Sequence, residues 1–176
     1  MALKILVDID GVCADFASLY LRRLRNLTGR VHFLAEVTNW DFTKCVSSLR
    51  EDQLVWESIA AHEGLVAGLR ELPQALPTIC RWRAAGHRVV AVTHPARRAP
   101  DWGYERTEWL LARGWAEDDI VLCKDKSLVP GDFLIDDSRA NVQRWASVHP
   151  TGRGLLMQQP WAPEGYTWDQ IKEIVG

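Results

Sequence analysis

Five short apolar segments constrain the fold of this chain more than any other feature of its sequence. They lie at residues 3–7, 87–92, 120–123, 133–135 and 154–157. Short apolar runs that alternate with segments of helical spacing are typical of strands buried on both faces of a parallel sheet. We therefore predict an α/β fold built on a Rossmann-like, doubly wound parallel sheet of five strands.

The stretch between the first two predicted strands is longer than one crossover helix needs. Residues 15–28 have apolar residues at helical spacing, which predicts a first helix. Ser48 and Glu51 form a capping-box pattern, which predicts the start of a second helix. We therefore predict a small helical cap over residues 16–72, inserted after the first strand. Residues 1–15 and 73–176 would form the core.

Composition and charge exclude several classes of function. A chain of 176 residues that is 47% hydrophobic suits one domain with a modest insertion. The net charge is −2 and no basic run is present, so no nucleic-acid polymer is expected as a partner. No segment has the apolar length of a membrane span, and no membrane partner is expected. The oligomeric state stays open, with a homodimer among the states that the sequence allows.

The cysteines and the N-terminus bear on the compartment. The four cysteines are widely scattered and form no CxxC pair, so a metal finger or a redox motif has little support. Free thiols of this kind are typical of a reducing compartment. The chain enters its first strand without the apolar region of a signal peptide. We expect a cytoplasmic protein.

Polar side chains stand at the carboxyl ends of four predicted strands. These are Asp8 and Asp10, Thr93, Lys124 and Lys126, and Asp136 and Asp137. The carboxyl ends of parallel strands share one edge, where ligands bind, so we expect these side chains to converge. Converging carboxylates repel one another unless a cation holds them together. An oxygen-only set without a competing His/Cys cluster favours Mg²⁺.

Such an edge has the groups that phosphoryl transfer needs. One aspartate can attack phosphorus and form an aspartyl-phosphate, a second can act as general acid and base, and Thr93 with a lysine can hold the phosphoryl oxygens. Each residue type also has a structural alternative. Paired acids can cap a turn or a helix, and a threonine can simply fill a strand end. Convergence of all four strand ends favours the catalytic interpretation.

The motifs at these strand ends resemble a known family. Asp8-Ile9-Asp10-Gly11-Val12, followed by Ala14-Asp15-Phe16, resembles the first motif of the haloacid dehalogenase superfamily, and within it the 5′(3′)-deoxyribonucleotidase branch. Thr93 matches the second motif. Residues 126–132 through 135–138 resemble the third and fourth motifs. The resemblance covers nearly the whole chain, because the segment near residues 16–75 matches the family's helical cap in position and length.

The resemblance implies a role for each matched acidic residue. Asp8 would be the nucleophile and Asp10 the general acid/base. Magnesium would be held by Asp8, by the backbone carbonyl of Asp10 and by Asp137. Asp136 would bind the ion directly or through water.

Other matched positions concern the substrate. Thr93 and Lys126 would bind phosphate. His94, where the branch usually has a small residue, is a further candidate for phosphate binding. Phe16 resembles the position whose aromatic ring faces the substrate. Two further aromatic residues of the cap are candidates for stacking on a nucleobase, with packing inside the cap as the alternative: Trp40 and Phe42.

Two pairs of basic residues follow the second and third predicted strands. Composition alone does not separate Lys124 from Lys126, and the family spacing favours Lys126 as the phosphate ligand. Arg97 and Arg98 follow the second motif, and we predict that they form a solvated pair.

The sequence therefore predicts a magnesium-dependent phosphomonoesterase. Its partner would be a small-molecule phosphomonoester, with a deoxynucleoside monophosphate favoured. A phosphatase for a small sugar or metabolite phosphate is the first alternative. A phospho-accepting, receiver-like signalling module is less favoured. A receiver carries its acidic pair after the first strand and its phosphorylated aspartate after the third, whereas here the adjacent pair, Asp136 and Asp137, follows the fourth predicted strand. A binding protein without activity is the last alternative.

Overall fold

The protein folds around one parallel β-sheet. This computed structural model describes residues 1–96 and 98–176, and the prediction made for Arg97 lies outside the described residues. The strands are β1 (Lys4–Val7), β2 (Arg88–Thr93), β3 (Ile120–Leu122), β4 (Phe133–Asp136) and β5 (Arg153–Leu156). They lie in the order β3-β2-β1-β4-β5, and all neighbours are parallel. The predicted five-stranded doubly wound sheet is confirmed.

The central strand is apolar because both of its faces are covered. Ile5, Leu6 and Val7 of β1 have no exposed surface. Leu6 packs in a small cluster on one face of the sheet, whereas Ile5 and Val7 belong to the large core on the other face. The strand therefore delivers the next residue, Asp8, to the carboxyl edge in the middle of the sheet.

The described part of the chain contains six α-helices. They are α1 (Phe16–Thr28), α2 (Leu49–Ala60), α3 (Ala75–Ala84), α4 (Trp102–Leu111), α5 (Arg139–Val148) and α6 (Trp168–Val175). The first two lie in the long segment between β1 and β2, as predicted. No helix among the described residues is both long and apolar enough to cross a membrane.

Local capping determines where the two helices of the inserted segment begin. The Asp15 side chain accepts a hydrogen bond from the Ser18 amide at 3.0 Å and caps α1. The capping box predicted for α2 is present, because the Glu51 carboxylate accepts from the Ser48 amide at 2.8 Å and the Ser48 hydroxyl accepts from the Glu51 amide. These contacts satisfy amides that the helix itself leaves without partners.

The connections into and out of the inserted segment run side by side. The Leu72 amide donates to the Cys13 carbonyl at 2.7 Å, and the Asp15 amide donates to the Arg70 carbonyl at 2.9 Å. The predicted boundaries at residues 16 and 72 lie next to this pairing. The division into a core and a cap remains a proposal.

Candidate active site

Three carboxylates meet at the carboxyl edge of the sheet. Asp8 follows β1 directly and is 8% exposed, and its Oδ1 accepts a hydrogen bond from the Ile9 amide at 2.7 Å. One carboxylate oxygen from each of Asp8, Asp136 and Asp137 lies within 4.8 Å of the other two. The structure therefore brings together acidic residues that the sequence places on two different strands.

A single buried lysine lies between two of these carboxylates. Lys126 stands in a short 3₁₀ turn after β3, and its Nζ lies 2.7 Å from Asp8 Oδ1 and 2.6 Å from Asp136 Oδ2. Lys124 is exposed, so of the two lysines only Lys126 reaches the acidic edge. Lys126 thus bridges the carboxylates of Asp8 and Asp136.

Asp136 is held by more partners than the other two acids. It is fully buried. Besides Lys126, it accepts from the Ser138 amide at 2.8 Å and from Asn141 Nδ2 at 3.1 Å. Asn141 was not among the site residues predicted from the sequence. Its position one turn into the helix after an acidic strand end is the signal that could have found it.

The electrostatics of the site favour a bound cation. Burial raises the pKa of Asp8 to about 7. The positive charge of Lys126 opposes this shift without cancelling it, and the negative charge of Asp136 adds to it. Burial, followed by the charges of Asp8 and Asp136, raises the pKa of Asp137 well above its ordinary value. Burial alone would lower the pKa of Lys126, but Asp136 and Asp8 raise it. One ammonium thus faces three carboxylates, and a divalent cation with a preference for oxygen would complete the charge balance.

A glycine lets the first motif approach Asp137 closely. Gly11 has φ +77°, and a Cβ built on it would lie 2.1 Å from Asp137 Oδ2. Any other residue would therefore displace the carboxylate as well as strain the backbone. Gln159 Nε2 donates to the Gly11 carbonyl at 2.6 Å and holds this turn from the C-terminal side.

Asp10 is paired with an arginine that was not predicted from the sequence. Arg106, on α4, forms an ion pair through its Nη2 with Asp10 Oδ1 and has no exposed surface. Burial raises the pKa of Asp10, and Arg106 opposes that shift. Arg106 shares a helix face with Trp102 and Trp109, four residues before it and three after it. That aromatic face is the one sequence signal that this charge is buried.

Thr93 and His94 stand at the end of β2. Thr93 is 1% exposed, on the strand next to β1, and its carbonyl accepts from the Cys123 amide at 2.9 Å. His94 follows at an exposed position. Thr93 thus lies on the edge that carries Asp8, as the sequence predicts.

An aromatic cluster joins the inserted segment to the core. Phe16 stacks on Trp56 with ring centroids 5.5 Å apart, and it meets Trp102 edge-on at 5.2 Å and Phe42 edge-on at 6.2 Å. Trp40 is 68% exposed and lies outside this cluster. Of the three aromatic residues predicted to face the substrate, the structure brings together Phe16 and Phe42.

The five-stranded parallel sheet and its helices are shared with solved structures of hydrolases. A hydrolase from Streptococcus pneumoniae TIGR4 has the same fold, with a TM-score of 0.60 at 10% identity over 99% of each chain. A protein described as a haloacid dehalogenase-like hydrolase from Bacteroides fragilis has a TM-score of 0.57 at 14% identity, over 99% of this chain and 93% of that one. At such low identity these similarities concern the fold alone.

Residues 2–164 match the family described as 5′ nucleotidase, deoxy (pyrimidine), cytosolic type C protein (NT5C), and the chain belongs to this family. It is 28% identical over 165 residues to the mitochondrial 5′(3′)-deoxyribonucleotidase of Mus musculus, covering 88% of this chain and 72% of the relative. The corresponding Homo sapiens protein is 30% identical over 146 residues, covering 77% and 62%. The protein is thus a phosphatase of the nucleotidase type, and the predicted resemblance is confirmed.

Proposed function

We propose that this protein is a magnesium-dependent phosphomonoesterase that hydrolyses deoxynucleoside monophosphates through an aspartyl-phosphate on Asp8. The observation that carries the proposal is the meeting of Asp8, Asp137 and Lys126 at one buried edge. Asp10, the proposed general acid/base, follows Asp8 by two residues. Membership of the nucleotidase family supports the substrate class.

The acidic edge provides ligands that fit magnesium. Asp8, the backbone carbonyl of Asp10 and Asp137 would hold the ion. Both oxygens of Asp136 already accept hydrogen bonds, which favours a role for Asp136 through water. A bound ion there would neutralise charge on the phosphoryl oxygens.

In the first step, an Asp8 oxygen attacks phosphorus while the bond to the leaving oxygen breaks. Asp10 donates its proton to that oxygen, so that the product leaves as an alcohol. Thr93 and Lys126 hold the phosphoryl oxygens. The contacts of Lys126 Nζ and the Ile9 amide with Asp8 Oδ1, both at 2.7 Å, orient the nucleophile beforehand.

In the second step, water attacks phosphorus and Asp10 accepts its proton. The bond between phosphorus and Asp8 breaks, which returns the Asp8 carboxylate and releases inorganic phosphate. The cap, residues 16–72, would exclude bulk water during both steps.

Substrate selection is assigned to the boundary between cap and core. Phe16 would stack on the nucleobase, since every base presents a π-face to an aromatic ring. The exposed ring of Trp40 and the packed ring of Phe42 would contribute from the cap. His94, next to Thr93, would lie near the leaving group.

One observation favours a second class of substrate. Phe16 already stacks on Trp56, so the aromatic cluster satisfies itself without a base. A small sugar or metabolite phosphate would need no base-stacking partner and would leave this cluster unchanged.

A substrate panel tests the proposal. Release of phosphate is measured from deoxynucleoside and ribonucleoside monophosphates and from sugar phosphates, with Mg²⁺ and with a chelator. We expect magnesium-dependent turnover with the highest kcat/KM on a deoxynucleoside monophosphate. Higher kcat/KM on a sugar phosphate would overturn the substrate assignment. Turnover by Asp8→Asn comparable to that of the unmodified protein would overturn the mechanism, with Asp119→Asn, which changes a surface ion pair, as the matched control.

A cytoplasmic location and a homodimeric state also remain proposals. All four cysteines are free thiols, which supports a reducing compartment. Size-exclusion chromatography with light scattering tests the oligomeric state.

A further inference from the structure

Arg106 is a buried charge whose hydrogen bonds are largely unused. Its side chain has no exposed surface, and its Nη2 pairs with Asp10. Its Nε and Nη1 have no hydrogen-bond partner among the residues that the structure describes. Buried donors without partners are costly and rare. What distinguishes this guanidinium is that it is fully buried and is paired with Asp10 of the acidic edge.

The surroundings of Arg106 hold the guanidinium in place. Its Cζ lies 5.4 Å from the ring centroid of Trp102 and 5.6 Å from that of Trp109. The adjacent residue, Glu105, accepts from the Gly64 amide at 2.9 Å and from the Val66 amide at 2.6 Å, which anchors α4 to the segment that returns from the cap. Arg106 is thus fixed on a rigid helix and does not reach Asp10 from a loop.

Arg113, two residues beyond the end of α4, is an example of an arginine with a structural role. Its Cζ lies 4.1 Å from the Trp109 ring centroid, and its Nε pairs with Glu71 at 2.8 Å. Its other nitrogens donate to the carbonyls of Trp109 and Leu69. The two arginines share an aromatic neighbour, and each has an acidic partner. Of the two, Arg106 alone leaves donors unused and contacts a residue of the acidic site.

We propose that Arg106 is the positioning residue for the general acid/base Asp10, an inference that rests on the proposed function. By holding Asp10 Oδ1, the guanidinium leaves Oδ2 to carry the proton to and from the reacting oxygens. Without this contact, the side chain of Asp10 is free to rotate away from the leaving oxygen. Chemistry on Asp8 would continue, but proton transfer would lose its geometry.

This role separates two kinds of substrate. An alkoxide leaving group, such as the 5′ oxygen of a nucleotide, needs a proton as its bond to phosphorus breaks. A nitrophenolate leaves without one. Hydrolysis of the aspartyl-phosphate still needs Asp10 as a base. Loss of positioning should therefore slow both steps for a nucleotide and only the second step for p-nitrophenyl phosphate.

The test compares Arg106→Met with Arg113→Met on a deoxynucleoside monophosphate and on p-nitrophenyl phosphate, with Mg²⁺ present. For Arg106→Met we expect kcat on the nucleotide to fall by about 10²-fold, within the usual range for general acid–base catalysis. On p-nitrophenyl phosphate we expect a burst of one nitrophenolate per active site, followed by slow turnover. Arg113→Met should keep both activities within about 3-fold.

Further results distinguish a positioning role of Arg106 from a purely structural one. Arg106→Lys keeps a positive charge, so it should recover part of the nucleotide activity, and it carries the test if Arg106→Met does not fold. An equal loss on both substrates without a burst, or no loss at all, would overturn the positioning role alone. No magnesium-dependent turnover by the unmodified protein would overturn the proposed function and this inference with it.

Discussion

The Nζ of Lys126 lies 2.7 Å from Oδ1 of Asp8, deep in the sheet edge where both side chains are buried. The protein thus carries an internal cation for its proposed nucleophile. Removal of one partner of a buried ion pair leaves the other charge without compensation, which is strongly destabilising.

We therefore expect Lys126→Met to lower the free energy of unfolding by about 3 kcal/mol at neutral pH in the absence of metal. Urea denaturation measures this change. Lys124→Met is the matched control, because Lys124 is exposed, and its effect should stay within about 0.5 kcal/mol. Equal effects of the two substitutions would contradict the buried pairing.

The second prediction concerns pH and magnesium. The pKa values of Asp8 and Asp137 are raised in the folded protein, that of Asp8 from 3.8 to about 7. Groups with a raised pKa bind protons more tightly when folded, so the stability they contribute is present at low pH. In the metal-free protein this contribution is lost as the pH rises from 3.8 through about 7.

Magnesium needs the ionised carboxylates, so it should stabilise the protein more at about pH 8 than at about pH 5.5. At a concentration well above Kd, we expect Tm to rise by about 5–10 °C at the higher pH. Thermal denaturation with Mg²⁺ and with a chelator measures the difference. Asp137→Asn should remove most of this response. A rise in Tm that does not depend on pH would contradict the assignment of these carboxylates.

The third prediction concerns the close contact between Gly11 and Asp137. In Gly11→Ala the new methyl group would displace the Asp137 carboxylate, since a Cβ at this position would lie only 2.1 Å from Oδ2 of that residue. We expect the Mg²⁺ concentration for half-maximal activity to rise by at least about 10-fold. Gly29→Ala is the matched control, because Gly29 has a similar φ of +73° but no neighbouring atom within 4 Å. It should cost about 1–2 kcal/mol of stability and leave the metal dependence unchanged.

The fourth prediction concerns an ion pair that joins the core to the inserted segment. Arg98 Nη1 pairs with Asp52 on α2, and Asp52 also accepts from the Tyr20 hydroxyl at 2.8 Å. Arg98→Met should loosen closure of the cap and raise KM by about 3–10-fold, with a change in stability below about 1 kcal/mol. Arg30→Met, which removes the pair with Glu51 on the same helix, should leave KM unchanged. Similar KM values for both variants would contradict this role.

Much of the fold could be predicted because its signals are local. The apolar runs, the acids that follow them and the capping box of Ser48 and Glu51 lie within a few residues of one another. A doubly wound sheet then brings its strand ends to one edge, whichever residues lie between them. For this reason Asp8, Thr93 and Asp136 could be placed on a common edge without knowledge of any tertiary contact.

Contacts between distant segments could not be predicted in this way. Arg106 and Asp10 are 96 residues apart in the chain, and no spacing rule joins a helix interior to a strand end. The pair of Arg98 with Asp52 is similar. Arg98 is predicted from the sequence to be solvated, and its side chain is 61% exposed, yet it reaches the acid across 46 residues.

The sequence by itself determined the order of strands and helices, the edge that carries the chemistry and the family's motif residues, because periodicity and strand-end polarity are properties of short segments. Tertiary structure alone decided which charges share a buried space. Lys126 with Asp8, and Arg106 with Asp10, face each other only because β1, α4 and the turn after β3 pack together. That packing excludes water, and the interaction between two charges is stronger where water is excluded.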